Sequence, residues 1–138
     1  ILRDMPSWLD RSPGFREYLE GTVLIPVPLH RRRLGKRGFN QSEWIAHSFR
    51  KAVGPSVEVM DILKRKKNTP TQTELDRSER KVNVKNAFAL KRRNCLRKED
   101  RIMLIDDVFT TGATLNACTQ VLRDHGFKRI NIATLGHG

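Results

Sequence analysis

Short apolar, β-branched runs alternate along the chain with longer stretches in which apolar residues recur every three to four positions. Val23, Leu24, Ile25, Pro26 and Val27 form the first run, closed by Pro28. Apolar at successive positions, it fits a strand buried on both faces of a parallel sheet. From Asn40 the period changes: Trp44/Ile45, Ser48/Phe49 and Ala52/Val53 recur every four residues and predict an amphipathic helix with Trp44 and Phe49 in its core face. Asn40 with Glu43 three residues on resembles a capping box, and Gly54-Pro55 is the stop. Residues 57–63 alternate weakly and predict a strand, 76–84 a short charged helix, and 87–90 a brief strand. Residues 102–105 read as strand, and 114–125 as a helix with Leu115, Cys118, Val121 and Leu122 on one face, stopped by Gly126. Residues 130–135 read as strand again. Strand, helix, strand implies a right-handed βαβ unit, an α/β fold class, and a ligand at the carboxyl ends of the strands.

With 138 residues, 38% hydrophobic and 30% charged, the chain suits one domain with a modest core. An opening segment, residues 1–22, precedes a domain expected over 23–138. No apolar run approaches the roughly 20 residues of a membrane span, and no charged, then apolar, then small-residue leader opens the chain. A cytoplasmic protein is the expectation. Cys95 and Cys118 form no C-x-x-C pair, so they read as reduced thiols rather than a zinc ribbon or disulfide framework. The net charge of +12 is uneven: residues 30–101 hold 21 of the 27 basic and 8 of the 15 acidic residues. An anionic partner for the middle of the chain follows, without saying which anion. The most biased stretch, residues 64–73, is polar and interrupted by Pro70, and reads as a mobile loop.

The most informative segment is 102–115, where an apolar strand ends in Asp106-Asp107-Val108-Phe109 and runs through Thr110-Thr111-Gly112-Ala113-Thr114 into a helix. Gly112 allows a tight turn and close approach of backbone to ligand. The amides of the turn and helix N-terminus, with the hydroxyls of Thr110, Thr111 and Thr114, make a phosphate cradle. Two carboxylates just before it would repel a phosphate unless they face something else, and neighbouring hydroxyls are what carboxylates accept from. A ribose bearing a 5′-phosphate supplies both. Neither G-x-x-x-x-G-K-[ST] nor G-x-G-x-x-G occurs.

Residues 103–114, MLIDDVFTTGAT, resemble the binding signature for phosphoribosyl pyrophosphate (PRPP) of type I phosphoribosyltransferases. PVPLHRRR at 26–33, RGFNQ at 37–41 and TQTELDRSERKVNV at 71–84 narrow the likeness to the ComF family, phosphoribosyltransferase-like proteins associated with competence and DNA utilisation. The likeness runs over about residues 23–136. It implies a type I phosphoribosyltransferase-like fold: a central, mostly parallel sheet flanked by helices, with a flexible loop. Asp106 and Asp107 would hold the ribose hydroxyls, and Thr110, Thr111, Gly112, Ala113 and Thr114 the 5′-phosphate. His30, Arg31, Arg32, Arg33 and Arg37 would line the pyrophosphate loop, with Lys36 adding charge and Gly35 and Gly38 letting amides approach. Residues 64–80 would form the loop that closes over PRPP, bringing Arg77 and Arg80 to the pyrophosphate; with Asp107 these are the catalytic candidates. Mg²⁺ would arrive on PRPP, with no metal ligands from the protein alone.

The chain departs from the pattern at its start. ComF proteins commonly open with a cysteine-rich zinc-binding segment, whereas residues 1–22 hold no cysteine and are a thin candidate for the hood that selects a base. The sequence opens on Ile1, as a fragment or a shortened member would. The acceptor, a nucleobase or amine, is therefore unnamed, and a homodimer stays open. Read alone, the basic run at 31–37 is a solvated face, and Arg77 and Arg80 have Glu74, Asp76 and Glu79 as ordinary surface partners. His30 reads as either a general base or a turn residue, His47 as structural, and His125 as a complement to the helix dipole. A second class of function is a non-enzymatic PRPP or nucleotide sensor whose basic middle contacts single-stranded DNA or a partner of DNA uptake.

Overall fold

The computed structural model describes residues 5–29, 39–66, 86–92 and 94–137. Two short helices, α1 (Met5–Asp10) and α2 (Pro13–Leu19), lead into β1 (Thr22–Pro26). Helix α3 (Gln41–Val53) and strand β2 (Glu58–Val59) follow, then β3 (Leu63–Arg65) and β4 (Phe88–Leu90). The last third is β5 (Arg101–Phe109), α4 (Ala113–Asp124) and β6 (Ile130–His137). Four strands form a sheet of order β2-β1-β5-β6, every pair parallel, and β3 and β4 pair antiparallel as a separate ribbon.

Side-chain alternation along the two central strands divides the core. Val23, Ile25 and Val27 of the first run, with Ile102 and Leu104, face a cluster containing Leu115, Ala117, Cys118 and Leu122 of α4 and Leu63 and Phe88 of the ribbon. Leu24, Met103 and Ile105 face the other way, onto Ile45, Ala46 and Phe49 of α3 and onto Leu9 and Leu19 of the opening helices. The described part of residues 1–22 is thus built into the core on the α3 side. Each wholly buried Leu or Ile removed from water contributes about 1.5–3 kcal/mol, and Leu24, Ile25, Leu104 and Ile105 are all in that class. Pro26 is tolerated in a central strand because Val27 N–H points at Ile105 O and β2 has already ended beyond Met60 N–H to Leu24 O.

Local signals set the helix ends. Asn40 caps α3 by accepting from the Ser42 amide at 3.0 Å. The reciprocal half of the expected capping box is replaced: the Glu43 carboxylate lies 3.8 Å from His47 Nε2, one turn on. Helix α4 ends in a Schellman motif, with Phe127 N–H to Leu122 O at 3.1 Å, Gly126 N–H to Arg123 O at 2.9 Å, and Gly126 at φ +93°. Leu122 and Phe127 meet in the same core. The His125 ring bonds through Nδ1 with Val121 O at 2.8 Å, satisfying a last-turn carbonyl.

Four expectations are corrected. The single strand over 57–63 is two strands in different sheets: β2 beside β1, then β3 beside β4. Lys64 and Arg65, expected in a loop, lie in β3, because its register Leu63↔Leu90, Lys64↔Ala89, Arg65↔Phe88 carries the ribbon past the end of the apolar pattern. Strand β5 is longer than 102–105 and includes both acids, since β6 continues to pair with it through Asp106↔Thr134 and Phe109↔His137. Trp44 is 54% exposed whereas Phe49 is 2% exposed; a rotation of five residues along a helix, some 500°, cannot leave both on one face. The loop beyond residue 66 and the helix expected over 76–84 lie outside the described residues.

Candidate functional site

The order β2-β1-β5-β6 places a topological switch between β1 and β5: the chain leaves β1 for β2 on one side, and β5 for β6 on the other. At such a point the connections diverge and open a crevice outside the carboxyl ends of the strands. Asp106 and Asp107 stand at that end of β5, and both are half-buried. Asp106 Oδ1 accepts from the Ser42 hydroxyl at 3.1 Å and from the Asp107 amide at 2.9 Å. Asp107 Oδ1 accepts from the Val108 amide at 2.9 Å. Burial raises Asp106 from its ordinary 3.8 to about 6, helped by a side-chain hydrogen bond with Asp107, while the Asp107 amide and Ser42 pull the other way.

The turn that follows is shaped by Gly112, the residue before α4, at φ +79°. A Cβ there would stand 3.1 and 3.2 Å from two ring carbons of Phe109, so the turn needs glycine for both its conformation and its contact. The Thr111 hydroxyl accepts from the Ala113 amide at 3.3 Å. Gly112 has no side chain with which to cap α4, and exposed Thr110 and Thr111 and half-buried Thr114 surround that helix start. Two carboxylates and a helix N-terminus thus stand together at this end of the sheet, an arrangement suited to a ligand with hydroxyls at one end and an anion at the other.

Three connections were not legible in the sequence. Asn40 Nδ2 donates to Val27 O at 3.0 Å, Ser42 reaches Asp106, and Phe109 packs on Gly112. A fourth concerns the base of the ribbon: the Arg65 guanidinium lies 4.8 Å over the Phe88 ring. Burial pushes the Cys118 thiol of α4 up to about 12, with Arg65 lowering it and Asp106 raising it. Cys95 is an exposed free thiol. Among the described residues, no group of three or more His, Cys, Asp or Glu could hold a metal ion, and no helix is long and apolar enough to cross a membrane.

Asp106, Asp107, Thr110, Thr111, Gly112, Ala113 and Thr114 are therefore all at one end of the sheet, around one turn. The basic candidates His30, Arg31, Arg32, Arg33 and Arg37, and the loop candidates Arg77 and Arg80, lie outside the described residues. The solvent face of α3 carries a feature that a core reading of Trp44 missed: Phe39, 38% exposed, stacks on Trp44 with ring centroids 5.0 Å apart.

Comparison with known proteins agrees with this geometry. Residues 36–137 match the family model "Phosphoribosyl transferase domain". Competence protein F of Haemophilus influenzae is 37% identical over 111 residues, covering 80% of this chain and 48% of that protein. Competence protein ComFC of Streptococcus pneumoniae is 32% identical over 124 residues, covering 90% of this chain and 51% of that protein. The DNA utilization protein YhgH of Escherichia coli K12 is 34% identical over 110 residues, covering 79% and 46%. The chain spans about half the length of these curated relatives. Among solved structures, a hypoxanthine phosphoribosyltransferase from Staphylococcus aureus superposes with a TM-score of 0.56 at 12% identity, over 99% of this chain and 65% of that one. A purine phosphoribosyltransferase from Pyrococcus horikoshii does so with 0.53 at 19% identity, over 99% and 69%, which speaks to the fold alone. Parallel sheet, acid pair before a glycine turn, matched residues and relatives together lead to one assignment: the chain belongs to the phosphoribosyl transferase domain family, within its ComF group, and has the type I phosphoribosyltransferase fold.

Proposed function

We propose that this chain binds PRPP with Mg²⁺ in the crevice at the switch between β1 and β5, and transfers its ribosyl 5-phosphate to a nucleobase or amine. The carrying observation is the acid pair Asp106–Asp107 followed directly by the Gly112 turn and the start of α4. In this reading Asp106 and Asp107 accept from the ribose hydroxyls, and the amides and hydroxyls of residues 110–114 hold the 5′-phosphate. Mg²⁺, a hard ion that keeps several waters, neutralises the pyrophosphate oxygens when bound, and no protein carboxylate is assigned to it.

The reaction breaks the bond from C1 of the ribose to the pyrophosphate oxygen and forms a bond from C1 to the acceptor nitrogen. The nitrogen's proton leaves to solvent or to pyrophosphate. Positive charge builds on the ribose as the bond breaks, and in this reading the two carboxylates stabilise it. Arg77 and Arg80 are assigned to the departing pyrophosphate, with His30, Arg31, Arg32, Arg33 and Arg37 beside it. The net charge of +12, concentrated in residues 30–101, raises the local concentration of such a substrate. PRPP is an intracellular metabolite, so the reading implies a cytoplasmic protein.

A second reading, a PRPP or nucleotide sensor that touches single-stranded DNA, draws on the exposed Phe39–Trp44 pair. Toward the other end of α3, His47, Arg50 and Lys51 line an open hollow of about 310 Å³ with Gly54 and Pro55. Aromatic platforms beside cations suit unpaired bases, and the relatives named for competence and DNA utilisation keep that partner in view.

Titration calorimetry with PRPP, with and without Mg²⁺ at two salt concentrations, and pyrophosphate release against a panel of bases and amines test both. Saturable, Mg²⁺-dependent binding followed by acceptor-dependent release is expected. Binding without release under every acceptor supports the sensor, and no PRPP binding by a folded sample overturns the transferase and the PRPP sensor and makes the basic surface, with nucleic acid or a protein partner, the leading account.

A further inference from the structure

The orientation of the Asp106 carboxylate is set from a different element of the fold. Ser42 lies in the first turn of α3, is 3% exposed, and is one of two buried polar residues among those described. Its amide donates to Asn40 Oδ1 at 3.0 Å, and Asn40 Nδ2 donates to Val27 O at 3.0 Å, so the serine is tied to the end of β1 through the helix cap. From that anchored position its hydroxyl donates to Asp106 Oδ1 at 3.1 Å. The Asp107 amide donates to the same oxygen at 2.9 Å. Two donors on Oδ1, one from α3 and one from the backbone of β5, hold the carboxylate of Asp106, whose side chain also shares a hydrogen bond with that of Asp107.

We infer that Ser42 is a positioning residue: it holds the Asp106 carboxylate in place at the switch between β1 and β5, where that carboxylate accepts a hydroxyl of the bound ribose phosphate. The ligand half of this inference rests on the proposed function; the orienting half stands on the geometry of the free protein. A donor on the carboxylate also favours its ionised form. Burial and Asp107 raise Asp106, and Ser42 and the Asp107 amide oppose them. From α4, Cys118 faces the same region with its thiol pushed up to about 12 and so neutral across the working range; Arg65 of β3 acts on Cys118 from the ribbon. Removing the Ser42 hydroxyl deletes a lowering influence that none of these groups replaces.

The test uses Ser42→Ala and Ser42→Thr in the full chain. Carbon NMR of the aspartate carboxyls, with Asp106 assigned by its loss in Asp106→Asn, follows the titration of Asp106 without ligand. Calorimetry with ribose 5-phosphate follows binding at constant pH. The midpoint for Asp106 is expected to rise by about half a pH unit or more in Ser42→Ala and to return toward the parent value in Ser42→Thr. Ribose 5-phosphate affinity is expected to fall about tenfold and recover in parallel. Ser42→Cys, nearly isosteric and only a weak donor, takes the place of the alanine variant if that one does not fold. An unmoved midpoint in folded Ser42→Ala or Ser42→Cys, or an equal shift in Ser42→Thr, overturns the inference. A shifted midpoint in a protein whose parent binds no ribose 5-phosphate upholds the orienting role and overturns the ribose reading instead.

Discussion

Asn40 Nδ2 donates to the carbonyl of Val27 at 3.0 Å, joining the cap of α3 directly to the end of β1. One side chain thus closes the helix and ties it to the sheet, because Asn40 Oδ1 at the same time accepts from the Ser42 amide. Asn40→Ala removes both bonds. A lost cap costs about 0.5–2 kcal/mol, and the Val27 bond adds to it, so a loss of about 2 kcal/mol in urea unfolding is expected. A loss below about 0.5 kcal/mol would show that neither bond supports the fold.

Gly112→Ala places a methyl group at φ +79°, 3.1 Å from the ring of Phe109. Backbone strain alone costs of order 1 kcal/mol, and the ring must move. A total loss of about 1–3 kcal/mol is expected by denaturant unfolding, with weaker binding of inorganic phosphate. Unchanged stability would mean that the turn adapts freely and does not require glycine.

The double variant Asp106→Asn with Asp107→Asn should bind ribose 5-phosphate at least about tenfold more weakly, since charge-assisted acceptors become neutral ones. Circular dichroism should show it folded. Equal calorimetric affinity in that folded variant removes the two acids from the site.

Asp106 also links stability to pH. Its folded value of about 6 lies above the ordinary 3.8, so its protonated form favours folding below about 4 and that contribution is lost as pH rises through about 6. After allowance for partial exposure this amounts to about 1–2 kcal/mol. Urea unfolding at pH 4.5 and 7.5 should therefore show parent and Asp106→Asn diverging in pH slope, with the parent losing more toward pH 7.5. Parallel slopes would count against a raised Asp106.

Trp44 and Phe49 make a contrasting pair. Trp44 is 54% exposed and Phe49 2% exposed, so Trp44→Ala should change stability by no more than about 0.5 kcal/mol and Phe49→Ala by about 3–5 kcal/mol. Thermal unfolding separates the two. If the Phe39–Trp44 pair receives unpaired bases, Trp44→Ala weakens oligodeoxynucleotide binding while leaving PRPP binding intact. Loss of both would place Trp44 in the small-molecule site.

Much of this protein was legible along the chain because the deciding forces there are local. Strands at residues 23–27 and 102–105 follow from runs of adjacent apolar side chains, and the helices from Asn40 and into Gly126 follow from a period and its stop signals. The acids, the turn and the helix start lie within nine consecutive residues, 106–114, so their proximity needed no fold to be predicted. Pairing between distant segments is different, since it depends on which edges meet. Residues 57–63 split between two sheets because β1 offers an edge to the first half and β4 to the second, and β5 runs on through its acids because β6 continues beside it. The four-residue repeat put both Trp44 and Phe49 in the core face of α3, and packing against Leu24, Met103 and Ile105 keeps only Phe49 there. The Ser42–Asp106 bond spans 64 residues, and no spacing rule relates a helix-cap serine to a strand-end carboxylate. Only burying the two elements against each other brings that donor to that oxygen, because desolvation then leaves each polar group in need of a partner.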